Sequence, residues 1–553
     1  MNRRSFLLAK KSDTPHRRVT SAGLEPYTGA WGRAEAAHLA RRAMFGATKS
    51  DITTLAGKTM VQAVDSLLTA AAKPADPIAY IKSSAVAQGD SWVSAAYDAN
   101  VEGQRLAMLQ AWWIGEMLFQ TVEKKPSITE KMILFWHNHF ATQANSVKDA
   151  RYMFTQLDLF REYALGNFKD LVRQVTLDPA MLRFLNGATN TKSHPNENYG
   201  RELQELFTIG KGAEVATGDY TNYTEADIKQ AARVLTGWSD VQASISAKFT
   251  SGNHDGGDKT FSARYGNTVI KGGTTEAAAR RELDELMNMI FSQDATTKYL
   301  VRKIYRWFVD YIIDDETEKN VITPLAQIFK SNNFEIKPVL DTLLKSAHFY
   351  DATKRGCMIK NPADFMLGTF RVFITPMLFP GETEYQGRYF GWRTVRRTMA
   401  TLQMDLLNPP NVAGWNAYWQ TPAFHELWIN SDTLQKRVLF TNQLAMDGGY
   451  QLDENYGKTY IDVIELAKQT SNPGDINVII NEWCELAYPL PMPDEAKAQF
   501  KQVVLNGLPD YEWTAEWNDY MADSTNETKE KAVTDKLRAL AKYMLAMAEY
   551  QLS

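Results

Sequence analysis

From Trp31 onward the apolar positions of the chain recur at three- and four-residue intervals, the spacing that gives a helix one dry and one wet side. The pattern predicts helices over 34–45, 60–72, 104–122, 150–165, 168–176, 225–238, 276–291, 295–313, 338–346 and 363–373. After Pro409 and Pro410 it resumes over 432–444, 460–469, 476–486, 494–505 and 528–550. Ser127 and Glu130 have the spacing of a capping box behind Pro126, which starts one more helix carrying Trp136-His137-Asn138-His139-Phe140. The expected fold is all-α, a large bundle-like assembly of helices. Its exception lies around 240–273, where Gly256-Gly257 and Gly272-Gly273 bracket alternating stretches that predict a small inserted β-hairpin. Three regions follow: a polar arm over 1–30, a main helical domain over 31–425, and a C-terminal helical region over 426–553.

Composition changes this picture little. The 553 residues are 44% hydrophobic and 23% charged, enough for a large core. Acidic and basic residues, 65 and 61, are mixed along the chain, so no global field recruits nucleic acid. No run of eighteen apolar residues occurs, which excludes a membrane-spanning helix. Cys357 and Cys484 lack the spacing of a thiolate metal site and leave one long-range disulfide open. The start, Met1-Asn2-Arg3-Arg4-Ser5-Phe6-Leu7-Leu8, has the form of a twin-arginine export signal without its apolar stretch, a degenerate version expected to stay on the mature protein. The compartment is then the periplasm or cell envelope if this start or a partner exports the chain, and the cytoplasm otherwise.

Four clusters carry candidate chemistry. The segment 196–210, NENYGRELQELFTIG, places Asn198, Arg201, Glu202 and Glu205 on one stripe of a predicted helix. Its carboxylates suit a hard cation or an acid–base pair, and a plain surface ion pair between Arg201 and Glu205 is the alternative. His137 and His139 share a metal only if the helix ends between them, because on a continuous helix they point about 200° apart. His254 and Asp255 lie in a glycine-rich loop beside Lys259, arranged for a metal, an anion or simply a turn. In Asn408-Pro409-Pro410-Asn411-Val412-Ala413-Gly414-Trp415-Asn416, with Trp419 nearby, stiff backbone and flat rings suit sugar stacking or a rigid core plug. No GxSxG, HExxH, GxGxxG or P-loop is present, so the common hydrolase, zincin and nucleotide mechanisms lose support.

Several of these segments, with AEAAHLARRAMFGAT at 34–48, MILFWHNHFAT at 132–142, YTEADIKQAARVLTGW at 223–238 and HDGGDKTF at 254–261, resemble the bacterial family DUF1800. The resemblance covers about three quarters of the chain and brings no established activity. It implies an envelope-associated protein accompanied by a DUF1501 protein, a family similar to alkaline phosphatases and sulfatases. The leading expectation is a polar cleft in which a divalent metal, held by His137, His139, His254 and Asp255, or an acid–base pair acts on a glycan or other envelope polymer. Glu202, Glu205, Arg201 and Lys259 are the expected catalytic groups there, and Asn198, Trp136, Trp415 and Trp419 the substrate-binding ones. A scaffolding partner of the DUF1501 protein and a carbohydrate-binding module are the competing expectations.

Overall fold

The computed structural model describes residues 22–82, 86–119, 126–373, 385–454 and 457–553. Helices dominate it, and the strands form four separate two-stranded antiparallel ribbons. The expected helices form, several with shifted ends, and Phe168–Thr176 and Asp494–Leu505 have the predicted bounds. One apolar core runs from Ala36 to Tyr550. Among the described residues, no helix is long and apolar enough to cross a membrane. The twin-arginine-like start lies outside the described residues. The described end of the N-terminal arm runs beside 345–347, where the Tyr27 amide donates to the Lys345 carbonyl at 2.8 Å.

The helix Thr129–His139 organises the rest, because all 11 of its residues are buried. A helix with no wet side has to find a partner for each polar side chain it carries. Glu130 accepts from Trp113 Nε1 at 3.1 Å and pairs with Arg161. Lys131 pairs with Asp364, and Asn138 Oδ1 accepts the Trp415 amide at 3.0 Å. The expected capping box therefore fails. Ser127 Oγ accepts the Thr129 amide at 3.2 Å, but Glu130 turns inward to neutralise Arg161 instead of reaching back to the helix start.

Tyr385–Thr401, Asp510–Ala522 and Lys49–Ala56 are helices that the periodicity did not predict. Arginines and glycines blur the apolar spacing of Tyr385–Thr401, which packs along Glu102–Phe119. Gly115 makes that approach possible, since a Cβ there would lie 2.7 Å from the Trp392 indole. The helix expected over 225–238 stops at Val234, because Trp238 opens a strand, Trp238–Val241, paired with Ser246–Phe249. A second ribbon joins Lys259–Thr260 to Val269–Ile270, so the predicted insertion contains two hairpins. At the other end the chain returns to the main body. The Lys360 amide donates to the Gln551 carbonyl at 2.8 Å, the Ser553 amide to the Met358 carbonyl at 2.9 Å, and Arg33 reaches Glu485 at 2.7 Å.

Asp227 fastens the insertion to the helix Glu225–Val234. Fully buried, it accepts the Ser262 amide and hydroxyl at 2.7 Å each and the Thr224 amide at 2.8 Å. Asp227→Ala leaves those donors without a carboxylate and should cost about 3 kcal/mol. Thermal melting should show the loss, and limited proteolysis should cut within 246–273 first; an unchanged melt and cleavage pattern would discard the anchoring role.

Candidate functional site

The carboxylate segment does not form one straight helix. An α-helix, Glu197–Glu202, passes into a π-turn, Leu203–Phe207. Such wide turns often mark functional sites because they re-aim side chains and free backbone oxygens. Here the Leu206 carbonyl accepts from Tyr299 Oη at 3.1 Å and from Lys303 Nζ at 2.9 Å. The Phe207 carbonyl accepts from His139 Nε2 at 2.9 Å. Buried Gln204 holds the inner side, donating to the Gly200 carbonyl at 3.1 Å and accepting from Tyr265 Oη at 2.8 Å.

Glu202 and Glu205 are both half-buried on the outer side of this turn. Desolvation, reinforced by the charge of Glu205 and opposed by Arg201, pushes the Glu202 carboxyl up to about 7. Glu205 has the partners of an anion: Tyr223 Oη donates to it at 3.1 Å and Lys211 Nζ lies 3.8 Å away. Arg201 does not pair with Glu205. It grips Glu225 through two nitrogens at 2.6 and 2.7 Å and touches Glu197 at 3.3 Å, so its charge is already engaged. Asn198 stands exposed one turn before.

The two histidines of the buried helix face different surroundings. His139 donates through Nε2, which leaves Nδ1 to accept from Lys303 Nζ at 3.3 Å. Burial, with the Lys303 charge beside it, holds this imidazole well below its usual range and therefore neutral. Burial and the Arg306 charge in turn bring the Lys303 ammonium down to about 7. His137 is sealed edge-on between Trp113 and Trp415, with ring centroids 5.5 and 5.6 Å away and neither nitrogen partnered; burial pulls it down to about 3. Trp136, equally buried, stacks on Phe168 at 5.5 Å.

The glycine-rich loop builds a separate network. His254 Nδ1 donates to the Thr236 carbonyl at 2.8 Å, and Nε2 faces Glu282 at 3.3 Å. Lys259 is fully buried and binds both Glu282 and the Asp255 carbonyl. Asp255 is held by Arg233 at 2.6 and 3.1 Å. The residues expected in one cleft are therefore spread out: His139 is bonded to the turn that carries the carboxylates, His137 is sealed between indoles, and His254, Asp255 and Lys259 form a network of their own. Among the described residues no three His, Cys, Asp or Glu side chains gather to hold a metal ion. Cys357 and Cys484 are not joined in a disulfide.

Trp415 is a core plug and not a stacking platform. Gly414, with φ +89°, lets its loop close on Asn138, where a Cβ would lie 2.4 Å from Oδ1. Trp419, 42% exposed, is left alone at the surface. Conversely, the fold brings Tyr223, Tyr299 and Lys303 to the carboxylates, and the sequence reading singled out none of them. Lys303 had a signal, a lysine at helical spacing from Leu300 and Trp307, both of which are buried.

Glu282→Gln should leave Lys259 charged and buried without its counterion, at a cost of about 3 kcal/mol. Lys259→Met combined with Glu282→Leu removes both charges and should recover most of that in a thermal melt. A double variant no more stable than Glu282→Gln would show that the pair is not the source of the loss.

Residues 38–552 match the model of the family described as protein of unknown function (DUF1800). No curated protein and no solved structure matches the chain. The match takes in the buried helix, the π-turn, the hairpin insertion and the C-terminal return together, and on that span the chain belongs to DUF1800.

Proposed function

We propose that the chain is an acid–base enzyme whose working pair is Glu202 and Glu205, acting on a glycan or another hydroxyl-bearing envelope polymer. The observation that carries this reading is the contrast between two neighbouring carboxyls. One is desolvated until it titrates near neutrality, and the other is bound by a phenol and faced by an ammonium. A carboxylic acid that keeps its proton near pH 7 suits protonation of a leaving oxygen, and a carboxylate beside it suits activation of water or stabilisation of developing positive charge. In hydrolysis Glu202 gives its proton to the departing hydroxyl while water, relieved of a proton by Glu205, supplies the incoming one. The metal-dependent version lacks a ligand set among the described residues, so the acid–base version is the one put forward.

The acid form of Glu202 is the active one, so kcat should fall as pH rises through about 7. Glu202→Gln should lower kcat by roughly 10²-fold or more with the fold retained. It should also flatten the stability profile. A carboxyl raised in the folded state favours folding below its ordinary range, and this contribution is lost as pH rises through about 7. Release of reducing ends from envelope glycans is the assay; wild-type turnover matched by Glu202→Gln, or no turnover of any glycan by folded wild type, rejects the reading.

A second reading, a scaffolding role beside a DUF1501-like phosphatase or sulfatase relative, is favoured by the C-terminal surface. Leu434, Leu439, Leu508, Tyr511 and Met521 are among the large apolar side chains exposed there. This reading expects stable co-purification with that partner and its loss in Leu439→Asp, a 57% exposed position where folding should not suffer. It also expects Glu202→Gln to disturb assembly instead of turnover. Complexes indifferent to Leu439→Asp would remove its support.

A further inference from the structure

Away from the carboxylates, six separate stretches of the chain, Ser553 among them, enclose a small cavity whose charged side chains are almost all of one sign. Arg41 and Arg42 reach it from Arg33–Ala43, Lys131 from the buried helix, Arg306 from Asp294–Phe308, Asp364 from Pro362–Val372 and His425 from the turn Phe424–Trp428. Asp364, the only carboxylate side chain in the lining, is used up: one oxygen pairs with Lys131 and the other accepts from Asn361 Nδ2 at 2.7 Å. The three guanidiniums have no carboxylate within ion-pair distance among the described residues. Arg41 is bonded to the Glu485 and Leu486 carbonyls, Arg42 to the Lys354 carbonyl at 2.8 Å and Cys357 Sγ at 3.2 Å, and Arg306 to the Tyr311 carbonyl at 3.3 Å.

Carbonyl dipoles do not neutralise buried cations, and arginine does not escape by losing its proton. Burial draws Arg41 down only to about 10, so it stays charged at neutral pH. Arg42 is 3% exposed, yet its Nε and Nη1 have no acceptor, and the equally enclosed Trp307 Nε1 lacks one too. His425, whose Nδ1 accepts the Ile359 amide at 2.9 Å, also lines the cavity. The cavity therefore combines positive charge in excess with buried donors in need of acceptors.

We infer that this cavity is a binding site for one small oxyanion of the phosphate or sulfate class. Guanidinium forks converging from separate elements, with an indole N–H among them, match an ion with several oxygens pointing in different directions, whereas a monocarboxylate offers two in one plane. Size agrees, since a cavity of about 30 Å³ admits a small ion and is too small for a sugar ring. The site is independent of the Glu202 and Glu205 pair and survives or fails separately from it.

The full chain, dialysed into chloride, should bind inorganic phosphate or sulfate saturably at one site in titration calorimetry and melt at higher temperature at constant ionic strength. Acetate should bind more weakly. Arg42→Met should weaken oxyanion binding roughly tenfold or more, the worth of one charge-assisted hydrogen bond, without lowering the melting temperature of the ligand-free protein. Arg306→Gln, on another helix and half-buried, repeats the test should Arg42→Met fail to fold. No saturable binding of either ion, stabilisation no greater than that from chloride, equal binding of acetate, or binding indifferent to both substitutions overturns the inference.

Discussion

The structure depends on one constraint, the burial of Thr129–His139 on every side. A helix sunk completely in the core cannot leave its polar side chains to water, so each one dictates what must lie opposite. Glu130 calls for Arg161, Lys131 for Asp364, Asn138 for the tight Gly414–Trp415 turn, and His139 for the backbone of the π-turn. Segments far apart in the chain are thereby fixed around a single axis. The Trp136 indole nitrogen and both His137 nitrogens have no polar partner, and His137 sits where two indoles close over it.

Much of the architecture was legible because apolar spacing is a local property. The helices over 168–176 and 494–505 could be read to the residue, since each keeps a clean dry side and ends at a polar cap or turn. Where the dry side is assembled from aromatic rings and gaps, as in Tyr385–Thr401, spacing loses its meaning: Trp392 is buried because Gly115 on another helix makes room for it. The hairpin insertion was visible through its glycine pairs, but not its division into two ribbons, which depends on pairing across the loop.

The candidate site was legible in part. The stretch containing Glu202 and Glu205 could be singled out from its crowding of carboxylates, yet a π-turn leaves no mark in residue spacing, and the companions Tyr223, Tyr299 and Lys303 arrive from elsewhere. Lys259 and Asp255 looked available because glycines surround them, whereas Glu282 and Arg233, distant in sequence, had already claimed them. Burial reverses the meaning of a charged residue, and burial of a particular charge is decided by the far side of the fold. The basic cavity escaped notice for the same reason: Arg41 and Arg42, Lys131 and Arg306 stand on three separate helices, and residue spacing does not show that these meet at one hollow.

The widened turn at Leu203–Phe207 couples two kinds of event mechanically. Its loosened peptide oxygens at Leu206 and Phe207 are the moorings of Lys303 and His139, while its outer side carries Glu202 and Glu205. Were the coil to tighten by a residue, those oxygens would swing away, the ammonium and the imidazole would lose their tethers, and the acids would rotate in the same stroke. The backbone there joins the outer carboxyls to the interior helix through the His139 imidazole that its Phe207 oxygen holds.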